Sequence, residues 1–235
     1  MDDIFDLVPE RAMAVFAHPA DAEIACGATL ARWAASGCAI DLVICTRGDK
    51  GSHEPGSEAS QVAATRTAEV DRAALELGLA GHEMLTNLDG EVTNSTELRA
   101  LLVARIRSRR PEVVFGHDPT AVFIGSDYVN HRDHREVGFA LVDAVAPAAG
   151  SPLYFPDAGK PHHVSTLLLS GTLEADAWVE VADHVDAKVA ALRCHRSQLA
   201  GDASGVETLV RQRASEGRER TGLERSEAFR RINLG

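Results

Sequence analysis

Short apolar runs alternate with longer amphipathic segments along most of this chain, and the runs end in polar tips. "RAMAVFA" (Arg11–Ala17) stops at "HPAD", "AIDLVICT" (Ala39–Thr46) at "RGDKGS", "HEMLTN" at "LDG", and "EVVF" (from Glu112) at "GHDP". Between them lie segments of helical period: "EIACGATLARWAASG" (Glu23–Gly37), "QVAATRTAEVDRAALELG" (Gln61–Gly78) and "STELRALLVARIRSRRP" (Ser95–Pro111). The first two stop at glycine and the third at proline, which are helix terminators. Further on, "HRDHREVGFALVDAVAPAA" and "DHVDAKVAALRCHRSQL" read as helices and "HVSTLLLS" as a strand. Such alternation predicts an α/β fold with a mainly parallel sheet covered by helices on both faces. The polar tips then share the carboxyl edge of the sheet, where open α/β folds carry their sites.

With 235 residues the chain reads as one domain, large enough to bury roughly 70% of its unfolded surface. Residues from about 200 to 235 are expected to form a helical tail. The net charge of −11 gives a polyanion nothing to bind, so no nucleic-acid partner is expected. The late arginines, from Arg211, are threaded with glutamates and read as an ion-paired helix face. Cys26, Cys38, Cys45 and Cys194 make no CxxC pair and read as small core residues in a reducing compartment. Neither a signal-peptide pattern nor a membrane-length apolar window is present, which predicts a cytoplasmic protein without a membrane partner. GxGxxG and GxSxG are both missing, against a dinucleotide site and a serine elbow.

The chemistry concentrates in "NHRDHR" (Asn130–Arg135) and "HPAD" (His18–Asp21). His131 and His134 are three residues apart and lie near one another if they open a helix. His18, Asp21 and one of these histidines provide two nitrogens and a carboxylate, a ligand set that suits zinc with a hydrolytic water. Asp133 is placed either to orient an imidazole or to complement a helix N-terminus. His117 and Asp118, at a strand end, suit either of two roles: shaping the pocket behind such an ion, or polar tips satisfying a loop.

These motifs carry a family resemblance. "AHPADAEIACGAT" resembles the HPDDE signature of the LmbE/PIG-L deacetylases, and "NHRDHREVG" is similar to their HPDHR signature. "CTRGDKGS", "RTAE", "LDGEV" and "GHDPT" follow in the family's order, so the resemblance spans about Arg11 to Leu199. It implies a Rossmann-like three-layer sandwich over residues 1–235 and a zinc-dependent N-deacetylase. It further implies a small acetylated amino sugar or glycoside as substrate, and a homo-oligomer. Carried over by position, it makes His18, Asp21 and His134 the zinc ligands. His131, partnered by Asp133, then stabilises the tetrahedral intermediate or protonates the amine. Asp49, Arg66 and Asp89 fall where relatives contact the sugar, and Tyr128 where a tyrosine reaches the oxyanion. Arg66 equally suits a pair with Glu69 or Glu58, Asp89 a plain turn, and Tyr128 an aromatic plug. The loops Arg47–Ser60 and Pro152–His163 are expected to shape the pocket.

The chain departs from the pattern at Ala20, where the family has its general-base aspartate. Metal binding is therefore expected more firmly than catalysis. An inactivated variant, an enzyme with His131 or Asp49 as base, and a non-catalytic zinc-containing binding protein all remain open.

Overall fold

The computed structural model describes residues 3–199 and 203–235. In chain order the elements are β1 (Asp3–Ile4), β2 (Arg11–Phe16), α1 (Asp21–Ala35), β3 (Ala39–Thr46), α2 (Ala59–Glu76), β4 (Gly81–Asn87), α3 (Thr96–Arg109) and β5 (Val113–His117). A small hairpin, β6 (Phe123–Ile124) and β7 (Tyr128–Val129), leads into α4 (Arg132–Asp143). Then follow β8 (Thr166–Ser170), β9 (Ala177–Glu180), α5 (Val185–Cys194), α6 (Ala203–Ser215), α7 (Arg218–Thr221) and β10 (Ser226–Asn233).

The main sheet has eight strands in the order β1-β9-β10-β8-β5-β2-β3-β4. β2, β3, β4, β5 and β8 are mutually parallel, and the expected α/β sandwich with a mainly parallel sheet is what the chain forms. β2 is covered on both faces, which explains its unbroken apolar run. Ala12, Ala14 and Phe16 face a core completed by Trp33 of α1, Val70 of α2 and Val189 of α5. Met13 and Val15 face the opposite core, with Leu102 and Ile106 of α3 and Val137 and Leu141 of α4.

The tail departs from expectation. α6 and α7 are helical, but the chain then returns as β10, antiparallel to both β8 and β9. Residues 200–202 of the expected tail lie outside the described residues. The charged look of "SEAFRRIN" suggested a helix, yet Phe229 is fully buried and packs edge-on to Phe115 with ring centroids 5.5 Å apart. Tertiary packing, not local propensity, decides this segment.

β10 also holds α1 together. α1 is broken at Cys26, whose φ and ψ of −143° and 19° are not helical. The break strips Ala28 and Thr29 of helical acceptors, and the buried Glu227 of β10 supplies them. Its carboxylate accepts from the Ala28 N–H (3.2 Å), the Thr29 N–H (2.7 Å) and the Thr29 hydroxyl (2.6 Å). Lys188 of α5 completes the knot, donating to Glu227 Oε1 at 2.6 Å and to the Ile24 carbonyl at 2.8 Å.

Removing one partner of a buried ion pair strands the other, so Glu227→Ala is expected to cost about 3–5 kcal/mol in urea unfolding. Glu227→Gln, which still accepts from Thr29, is expected to cost less. A loss below about 1 kcal/mol in Glu227→Ala would show that β10 does not brace the broken helix.

Candidate metal centre

The site gathers at the carboxyl edge of the parallel strands. His18 follows β2, Asp21 opens α1, Asp49 follows β3, Asp89 follows β4, and His117 ends β5. His131 and His134 arrive from the far side at the start of α4, and Gly138 sets how closely that helix approaches. A Cβ there would lie 2.7 Å from the His117 carbonyl oxygen, so only glycine allows this packing. The close approach stacks the His134 ring on His117, with centroids 4.0 Å apart and planes 8° from parallel.

Three atoms from separate parts of the chain form an equilateral triangle. His18 Nδ1 is 3.2 Å from Asp21 Oδ2, His134 Nε2 is 3.2 Å from Asp21 Oδ2, and the two nitrogens are 3.2 Å apart. A tetrahedral ion with bonds of about 2.0–2.1 Å requires donors about 3.3–3.4 Å apart. The donor set therefore fits one face of such a coordination sphere, and the outer face remains for water or substrate. Asp21 is suited to the task. Burial works against its charge, but the neighbouring His134 and His18 imidazoles outweigh burial and hold its carboxyl well below the usual range.

The other side of His18 faces carboxylates. Its Nε2 lies 3.1 Å from Asp89 Oδ1 and 3.3 Å from Asp133 Oδ2. Burial opposes a proton on this ring, yet Asp133, Asp21 and Asp89 together push its pKa up to about 11. His18, Asp89 and Asp133 also lie close enough to share a cation, but the two carboxylates serve better as acceptors for the Nε2 proton, which leaves Nδ1 toward the triangle. Asp133 is fully buried and held by the backbone N–H groups of Gly90 (2.7 Å) and Val92 (3.3 Å).

This arrangement differs from the expected His131–Asp133 partnership. The Asp133 carboxylate contacts His18. Its link to His131 runs through the backbone, since the Asp133 N–H donates to His131 Nδ1 at 3.1 Å and caps α4. With Nδ1 accepting, a neutral His131 carries its proton on Nε2 and presents a donor. Burial, followed by the nearby His18 and His134, lowers its pKa.

The remaining predicted residues divide. Asp49 is buried and accepts from the Asp89 N–H at 3.0 Å, so it braces the loop that carries Asp89. Arg66 is buried beside Gly51, where a Cβ would fall 2.0 Å from its Nη2, and donates to the Gly51 carbonyl at 3.0 Å. It does not pair with Glu69, which instead accepts from the N–H and hydroxyl of Ser197. Tyr128 is half exposed on β7, outside the hydrogen bonds of the cluster. The Pro152–His163 loop packs at the opposite end of the sheet. Arg107, near the end of α3, donates to the carbonyls of Ala148, Ser151, Tyr154 and Phe155, and His162 reaches the Pro111 carbonyl. It is therefore not a wall of this site.

His117 takes the first of its two expected roles, behind the triangle, rather than that of a loop tip. Its Nε2 lies 3.3 Å from Asp21 Oδ2 and accepts the Ala17 N–H at 3.2 Å. Burial drives its pKa down to about 4, so it backs the triangle as a neutral ring. A strand-end histidine beside an aspartate was the available signal, but the stacking depends on Gly138.

An open, mainly parallel sheet with two imidazoles and a carboxylate converging at its carboxyl edge defines an α/β protein with a candidate metal centre. The profile of the PIG-L family, described as GlcNAc-PI de-N-acetylase, matches residues 13–145, and the chain belongs to this family. The diacetylchitobiose deacetylase of Thermococcus kodakarensis is 29% identical, covering 82% of this chain and 72% of the relative. The 1D-myo-inositol 2-acetamido-2-deoxy-alpha-D-glucopyranoside deacetylase 2 of Saccharopolyspora erythraea is 30% identical over 81% of this chain and 84% of its own. The crystal structure of N,N'-diacetylchitobiose deacetylase from Pyrococcus horikoshii superimposes with a TM-score of 0.86 at 26% identity, covering 96% of this chain and 84% of that one. No helix among the described residues is long and apolar enough to cross a membrane.

Ala20 caps α1 with φ at 79°, in the left-handed region, and its side chain makes no capping bond. Asp and Asn tolerate that conformation better than alanine. Alanine therefore occupies a strained backbone conformation at this cap. Ala20→Gly should relieve the strain and stabilise the protein by roughly 0.5–1 kcal/mol, measured by urea unfolding. A destabilisation of similar size would mean that the turn is not strained.

Proposed function

We propose that this protein is a zinc-dependent N-deacetylase acting on an N-acetylglucosamine-type amide, slowed by the lack of a general base at Ala20. The observation that carries the reading is the equal 3.2 Å spacing of His18 Nδ1, Asp21 Oδ2 and His134 Nε2. Two nitrogens and one carboxylate oxygen, with a fourth direction open, suit catalytic zinc. The deacetylase relatives support the reaction class, and their acetylated amino-sugar substrates support the substrate class. When bound, zinc supplies Lewis acidity: it polarises an amide carbonyl and acidifies water.

The chain's own residues take the remaining roles. His131, whose Nε2 carries the proton, donates a hydrogen bond to the oxyanion, and the hydrolytic water supplies the proton that the departing amine takes up. Asp133 and Asp89 hold the His18 ring so that Nδ1 faces the ion. Arg66 and Asp89 line the side from which the sugar approaches. Neither expected substitute for the base is well placed. Asp49 is committed to the Asp89 backbone, and the His131 lone pair to the Asp133 N–H.

A second reading, a zinc-containing ligand-binding protein of the same fold, rests on Ala20 itself. The two separate on one comparison: steady-state deacetylation of N-acetylglucosamine derivatives by the protein and by Ala20→Asp. Since a positioned base contributes a factor of about 10² to 10⁴, Ala20→Asp is expected to raise kcat by that order. Zinc without turnover in either form would favour the binding protein, and an unchanged but measurable rate would mean that another group is the base.

Zinc uptake is also linked to a proton. With its pKa near 11, His18 is protonated on both nitrogens in the metal-free protein at neutral pH. Coordination requires the Nδ1 lone pair, so binding expels that proton. Calorimetry in buffers of different ionisation enthalpy should show about one proton released per ion. Affinity should rise about tenfold per pH unit through the neutral range. A pH-independent affinity would exclude His18 Nδ1 as a ligand.

A further inference from the structure

We infer that Asn130 is a positioning residue whose single side-chain amide sets the tautomer of His134 and ties that ring to the β6–β7 hairpin. Asn130 precedes the histidine pair and is only 5% exposed. Its Nδ2 donates to the Ala121 carbonyl at 2.8 Å, and its Oδ1 lies 3.0 Å from His134 Nδ1. The orientation of the amide follows from its partners. A carbonyl only accepts, so Nδ2 must face Ala121 and Oδ1 must face His134. An amide oxygen also only accepts, so His134 Nδ1 carries the hydrogen. The neutral ring is left with its lone pair on Nε2, the atom 3.2 Å from both Asp21 Oδ2 and His18 Nδ1. Without Asn130, His134 is free to place its proton on the nitrogen that faces the ion, or to turn.

The same residue closes the hairpin. The Asn130 N–H donates to the Val122 carbonyl at 2.8 Å, and with the Ala121 bond it seals the base of the β6–β7 pairing of Phe123 with Val129 and Ile124 with Tyr128. Beyond this seal stand Phe123, Tyr128 and Val129, 66%, 49% and 63% exposed. One amide therefore has two separable jobs: its oxygen serves the metal seat and its nitrogen serves the hairpin.

The inference rests on the reading of His18, Asp21 and His134 as zinc ligands, and the wild-type protein tests that reading first. Failure of the wild type to bind one zinc per chain overturns that reading and this inference with it. Given binding, zinc affinity by chelator competition and hydrogen exchange over residues 121–129 are compared in wild type, Asn130→Asp and Asn130→Leu. Asp keeps an acceptor for His134 Nδ1–H and loses the donor to Ala121. It should hold zinc within about threefold of wild type while hairpin exchange quickens about tenfold or more. Leu loses both bonds and should weaken zinc by about ten- to a hundredfold. A purely structural role would lower affinity in both variants alike. Equal loss in Asn130→Asp, or wild-type exchange in its hairpin, overturns the inference even if Asn130→Leu does not fold.

Discussion

Three carboxylates crowd the single imidazole of His18 at the carboxyl edge of the sheet, and one proton on that ring does not balance their charge. Asp21, Asp89 and Asp133 all lie within 3.3 Å of His18, whose two nitrogens face different members of the set. Taking that much negative charge out of water is costly unless cations answer it. In the metal-free chain the answer is a proton on His18. On the reading proposed above, a divalent ion at the triangle would answer it more fully and would compete with that proton for His18 Nδ1.

The fold makes this possible by packing unusually close. Gly138 brings α4 against the end of β5, which sets His134 over His117 and beside His18 and Asp21. On the other side, α1 must present Asp21 from a helix broken one turn later at Cys26. The break is tolerated because Glu227 and Lys188, from the last strand and α5, supply the missing bonds. Remote elements thus support the first turn of α1, and the geometry of the His18–Asp21–His134 triangle depends on residues outside it.

Much of the architecture could be read from the sequence, because parallel strands buried on both faces leave unbroken apolar runs and helices leave a 3.6-residue period. The polar tips of β2, β3, β4 and β5 do share one edge, as their alternation with helices implied. His18, Asp21 and His134 do meet, an encounter that motif order suggested but spacing alone did not. What the sequence concealed depends on long-range packing. β10 looked helical because its core contacts, Phe229 and Ile232, stand among charged residues. Asp133 sits two residues from His131 in sequence but its carboxylate bonds His18, because helical geometry turns its side chain inward. The Pro152–His163 loop had a loop's composition, and only the reach of Arg107 reveals that it belongs to the far end of the sheet. Ala20 was visible as a departure from the motif it resembles, but its left-handed backbone was not.

X-ray absorption at the zinc edge of the reconstituted protein reads the proposed coordination directly. Two imidazole nitrogens and a carboxylate oxygen are expected at about 2.0–2.1 Å, with no sulfur scatterer. A zinc–sulfur shell near about 2.3 Å, or fewer than two imidazoles, would contradict it.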